Sequence, residues 1–116
     1  MSTAVSTQTL DPRILEMAAE IQRRIPGAEI RLFGSRARGT HRLNSDIDLL
    51  VTAPDRWCQD NNRFTQTGLL WRALAKHHLP VDLLIYSESE VKERLKLSSS
   101  VARQAYESGV VLHEQP

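Results

Sequence analysis

From Asp11 onward the chain switches between a helical and a strand-like spacing of apolar residues. Ile14, Ala18, Ile21 and Ile25 recur three to four positions apart, which predicts an amphipathic helix over residues 12–25. Asp11 supplies its N-cap, Pro12 its first turn, and Pro26-Gly27 ends it. Residues 28–33 (AEIRLF) then read as a strand. Gly34-Ser35 and the turn SRARG follow, a polar stretch THRLNS intervenes, and DIDLLVT at 46–52 is a second strand. A helix is predicted from Asn61 or Asn62 to about His78, with Leu70, Trp71 and Leu74 facing inward; Pro80 limits it. VDLLIY at 81–86 is a third strand. Ser87 and Glu90 form a capping-box pattern opening a helix over 88–97, the serines at 98–100 break it, and a last helix spans 101–108. Gly109 and a short strand, VVLH, close the chain.

Alternating strands and helices define an α/β (α+β) sandwich whose sheet need not be wholly parallel. No repeat interrupts the series. Residues 11–116 are expected to form a single domain, preceded by a flexible Ser/Thr-rich segment, 1–10.

The strands carry acids in places where a core strand has no use for them. In Asp46-Ile47-Asp48 the two carboxylates lie on one side of the strand, while Ile47, Leu49 and Val51 lie on the other. Two residues of strand rise separate their Cα atoms by roughly 6.5–7 Å, within reach of one metal site. Like charges at that spacing repel unless a cation intervenes, and hard oxygen ligands suit Mg²⁺. An isolated D-x-D is more often the solvated side of an edge strand. Three neighbours weigh against that here. Gly34-Ser35 sits at a strand-to-helix turn, where backbone N–H groups attract phosphate oxygens and glycine permits close approach. Asp82 is the polar exception on the third strand, and at a strand spacing of ~4.8 Å it would reach the pair if the two strands are neighbours. Arg36 and Arg38 flank the glycine turn, where a triphosphate would lie. Three carboxylates on adjacent strands are the equipment of two-metal phosphoryl transfer.

Composition narrows the alternatives. A chain of 116 residues, 41% hydrophobic and 25% charged, is of ordinary globular type, and its net charge of +1 makes no strong case for nucleic acid. Its one cysteine, Cys58, excludes an internal disulfide and a thiolate zinc site. No apolar run is long enough to span a bilayer and the N-terminus lacks a signal-peptide pattern, so a cytoplasmic location is expected. GSRARGTH fails as a Walker A loop, since no Lys-Ser/Thr pair follows Gly39. His77 and His78 are adjacent helix positions that do not face one another, a poor metal pair.

LFGSRARG, SDIDLLV and VDLLIY together resemble the polymerase-β-type nucleotidyltransferase superfamily, and within it the short minimal nucleotidyltransferases (MNT proteins). The ending ARQAYESGVVLHE is similar to the helix, glycine and strand that close MNT domains. The resemblance implies a short mixed sheet with helices packed mainly on one face. It implies that Gly34 and Ser35, with Arg36, Arg38 and Ser45 as further candidates, bind the nucleotide. Asp46, Asp48 and Asp82 would be both catalytic and metal-binding, holding two Mg²⁺ ions, with ATP as substrate. MNT proteins pair with HEPN-domain ribonuclease toxins and act as antitoxins, some by moving AMP onto a toxin tyrosine. The same partner role here, in a homo- or hetero-oligomer, is the expectation. A non-catalytic antitoxin acting by contact is the alternative; transfer to a small molecule or nucleic acid is a third.

Overall fold

The computed structural model describes residues 10–40 and 45–112. Most of the predicted flexible segment 1–10, most of the polar stretch THRLNS (including Arg42) and His113 of the closing strand lie outside the described residues. The elements are α1 (Pro12–Arg24), β1 (Glu29–Phe33), α2 (Ser35–Arg38), β2 (Ile47–Ala53), α3 (Asp55–Asp60), α4 (Arg63–Leu74), β3 (Val81–Ser87), α5 (Glu88–Arg94), α6 (Val101–Ser108) and β4 (Val110–Val111). A 3₁₀ turn, Ala75–His77, follows α4.

Helix α1 starts as the sequence predicts. The Asp11 carboxylate accepts from the backbone N–H of Arg13 at 3.0 Å, and Pro12 fills the first turn. The same carboxylate accepts from the Arg13 guanidinium at 2.7 Å, and that guanidinium also donates to the His77 carbonyl at 3.1 Å. The α1 start is thereby tied to the end of the 3₁₀ turn. Helix α5 forms the full capping box: Glu90 N–H donates to Ser87 Oγ at 3.1 Å, and Ser87 N–H donates to Glu90 Oε1 at 2.8 Å.

The four strands are ordered β3-β2-β1-β4. β1 runs antiparallel to β2 and β4, while β2 and β3 are parallel, joined by a crossover through α3 and α4. Strand alternation sends the two halves of β2 to two cores. Ile47, Leu49 and Val51 meet Ile14, Met17 and Ile21 of α1 and Leu70 and Leu74 of α4 in the larger one. Leu50 lies on the opposite face with Phe33, Ala102 and Ala105, covered by α6. Each fully buried Ile or Leu contributes about 1.5–3 kcal/mol, so β2, with Ile47, Leu49, Leu50 and Val51 all inaccessible to solvent, is the most strongly held strand. Gly109 lets α6 turn into β4: an added Cβ there would overlap the Ala105 carbonyl and lie 2.7 Å from that of Leu32.

Three features in this region depart from the sequence reading. Trp71 is not inward but 49% exposed, because Leu70 and Leu74, four apart, define the buried side and Trp71 is rotated about 100° from Leu70. Residues 55–60 form a helix that apolar periodicity could not reveal, since none of its residues is buried. It is held by partial packing of Trp57 and Cys58 on the larger core and by polar contacts: Asp55 accepts from Ser89 N–H at 3.0 Å and Ser89 Oγ at 2.6 Å, and Asn61 donates to the Trp57 carbonyl at 2.9 Å. The helix predicted to reach His78 ends its α portion at Leu74 and tightens into the 3₁₀ turn, with His78 at φ 57°.

The hydrogen bonds from Arg13 hold the Asp11 carboxyl below its ordinary 3.8, at about 2. A lowered folded-state pKa stabilises the protein above the unfolded value, and that contribution is lost as pH falls through the folded value. Asp11→Ala should therefore cost about 1 kcal/mol in urea unfolding at pH 7, and the gap to the wild type should narrow between pH 3.8 and pH 2.

Candidate active site

Parallel pairing of β2 and β3 sets Asp48 directly opposite Asp82, two carboxylates on neighbouring strands at the same level. The flanking pairs, Ile47 with Val81 and Leu49 with Leu83, are apolar, so the acids are the polar interruption of a hydrophobic ladder. Asp46 stands one residue before β2 and is exposed, as is Asp82, while Asp48 is half-buried. Burial, then repulsion from Asp82 and Asp46, pushes the Asp48 carboxyl above the usual carboxylate range; Arg38 opposes this.

Gly34 closes the other side. Its φ of 75° and ψ of −155° belong to a region essentially reserved for glycine. An added Cβ would overlap Oδ2 of Asp48, so the absence of a side chain lets the turn lie against the carboxylate. Antiparallel pairing explains the meeting: Phe33 is opposite Asp48, and Gly34 follows immediately. Ser35 opens the short helix α2, and Arg38 at its end is exposed.

Asp46 is anchored through both chain neighbours. The Ile47 N–H donates to the Pro80 carbonyl at 2.8 Å, which joins the start of β2 to the approach of β3. On the other side, Arg36 donates from Nε and Nη2 to the Ser45 carbonyl at 3.1 and 3.0 Å. Arg36 is only 6% exposed, so its guanidinium ties α2 to the acid segment from inside. Proximity of Arg36 to the glycine turn had pointed to phosphate; its two bonds to Ser45 put it to structural use. Ser45 meets the site through its carbonyl as that acceptor. Sequence reading missed this strut because a buried arginine and a surface one look alike in a polar run.

The residues present fit a hydrated divalent cation. Their donors are hard carboxylate oxygens, and the mutual repulsion at Asp48 is of the kind a cation relieves. Among the described residues no three acidic, histidine or cysteine side chains form a ready-made metal cage. Mg²⁺ rarely uses such a cage, since it keeps several waters and takes one or two carboxylates together with substrate phosphates.

A mixed sheet with acids paired across its parallel strands and a glycine turn against one of them is the architecture of nucleotidyl-transfer domains. Residues 14–113 match the family model of the nucleotidyltransferase domain, and the chain belongs to that family. Among solved structures, the chain is similar to one chain of a toxin–antitoxin complex with AMP-PNP, at 28% identity and a TM-score of 0.54, covering 87% of this chain and 73% of that one. No curated, characterised protein matches the sequence.

Two substitutions probe the frame. Gly34→Ala should cost about 1–3 kcal/mol, because backbone strain adds to the overlap with Asp48. Arg36→Ala should cost about 1–3 kcal/mol by withdrawing two charged donors from the Ser45 carbonyl. Thermal unfolding monitored by circular dichroism reads both.

Proposed function

We propose that this domain transfers AMP from ATP to a hydroxyl, a tyrosine by resemblance, of a partner toxin of the HEPN type, and so acts as an antitoxin. The observation that carries the transfer reading is the Asp48–Asp82 pairing, with Gly34 packed on Asp48 and Asp46 alongside. Family membership supports nucleotidyl transfer, and the toxin–antitoxin complex with AMP-PNP supports both the nucleotide and the setting.

In this reading Asp46, Asp48 and Asp82 hold Mg²⁺, which offsets triphosphate charge and makes a bound hydroxyl more acidic. Gly34 and Ser35 seat the triphosphate at the turn, beside the acids. Arg38, exposed at the end of α2, balances negative charge on the phosphate oxygens. Arg36 positions Asp46 by fixing Ser45, and contributes to nucleotide binding through that geometry. Asp82 orients the incoming hydroxyl and accepts its proton. The hydroxyl oxygen attacks the α-phosphorus in line, the new O–P bond forms as the bond to pyrophosphate breaks, and pyrophosphate leaves. Residues 11–116 act as one domain, and the acceptor arrives on another protein.

The test is intact-mass spectrometry of the protein encoded by the neighbouring gene after incubation with this chain, ATP and Mg²⁺. The acceptor should gain one or more AMP units. Asp46→Asn or Asp48→Asn should slow the gain at least ~100-fold, the scale of losing one electrostatic stabiliser of a charged transition state. Neutralisation of the toxin that survives both substitutions unchanged would instead assign the antitoxin effect to contact.

A further inference from the structure

Helix α4 buries one side and leaves an apolar ridge on the other. Phe64 is 91% exposed, Trp71 49% and Leu69 39%. Phe64, Gly68, Trp71 and Ala75 fall at i, i+4, i+7 and i+11, along one line of the helix surface. Gly68 leaves a gap in that line, since an added Cβ would meet no atom within 4 Å. Two shallow cavities follow the ridge, each of about 250 Å³. One is lined by Phe64, Gly68, Leu69 and Arg72; the other by Trp71, Leu74, Leu79 and Val81. The second is lined by Val81 of the edge strand β3; the next residue, Asp82, faces the other side of the sheet around that edge. From Phe64 to Ala75 the ridge runs ~16 Å toward the acid edge of the sheet.

Charge marks what can cover it. Residues 63–78 contain Arg63, Arg72 and Lys76 and no carboxylate. Arg63 is paired with Glu90 and Lys76 with Glu20, whereas exposed Arg72, on the rim of the first cavity, has no ion pair or hydrogen bond among the described residues. A second copy docked face to face about a twofold axis would set these cations against one another, without a carboxylate from either α4. An apolar segment flanked by acidic side chains fits both the cavities and the charge.

We propose that the α4 face docks the acceptor protein: an apolar, acid-flanked segment lies along Phe64, Gly68 and Trp71, pairs a carboxylate with Arg72, and presents its hydroxyl around the β3 edge to Asp82. The proposal rests on the protein-acceptor reading above and adds the surface that selects the acceptor. Exposed aromatic anchors of this kind dominate binding when a partner desolvates them.

The experiment compares the wild type, Phe64→Ala/Trp71→Ala and Arg72→Glu, each with the protein encoded by the neighbouring gene. Complex formation is followed by sedimentation velocity, AMP transfer by intact mass, and AMP-PNP binding with Mg²⁺ by equilibrium dialysis. Because the altered side chains are largely exposed, folding and AMP-PNP binding should match the wild type. The complex should weaken by about tenfold or more in either variant, and AMP transfer should fall through a higher KM for the acceptor. Loss of the complex in the variants, when the wild type binds but transfers no AMP, would retain the docking face and reject the transfer reading. Unchanged acceptor affinity, or no complex with the wild type, overturns the proposal. So does a wild-type homodimer that the double variant dissociates, which would make the ridge a contact between copies of this chain.

Discussion

The parallel pairing of β2 with β3 is the constraint on which the remaining features depend. Its register places Asp48 opposite Asp82, and a slip of one residue would turn one of them into the larger core. That slip is resisted by hydrophobic burial: Leu49 with Leu83 and Val51 with Ile85 line the α1/α4 side, while Leu50 with Leu84 faces α6. Burial energy spent along the strand thus holds charges together that would otherwise move apart.

Around this pair the chain spends specific polar bonds to keep the edge rigid. Pro80 accepts from Ile47, Arg36 grips Ser45, and Gly34 takes a backbone conformation that other residues resist. These contacts come from two separate stretches of sequence, residues 34–36 and Pro80, and converge on the segment carrying Asp46 and Asp48. A site held this way presents its carboxylates with little reorganisation when charge arrives, the condition under which electrostatic stabilisation is most effective.

The two sides of the sheet serve different ends. α6 is tied to the second face by Tyr106, over which the Arg31 guanidinium stacks at 3.8 Å while its hydroxyl donates to Glu29 at 3.2 Å. α4 covers the first face with Leu70 and Leu74 alone, and turns Phe64 and Trp71 outward. Among the described residues no helix is long and apolar enough to cross a membrane.

Local features were legible in the sequence because their causes are local. Spacing of Ile14, Ala18 and Ile21 determined α1, and Ser87 with Glu90 determined the start of α5. The motifs Gly-Ser and Asp-x-Asp with a third Asp also carried the family, which the family model shows. Tertiary structure alone decided the rest. Strand neighbours come from packing over the whole sheet, so the Asp48–Asp82 register had no local signal beyond the acids themselves. Helix α3 packs only the partly buried Trp57 and Cys58 on the core and is tied by Asp55 to Ser89, 34 positions away. Trp71 looked like core because hydrophobicity does not reveal which side of a helix its neighbours will cover. Arg36 was legible only as a cation beside the glycine turn, because one letter cannot say that its guanidinium also meets the Ser45 carbonyl.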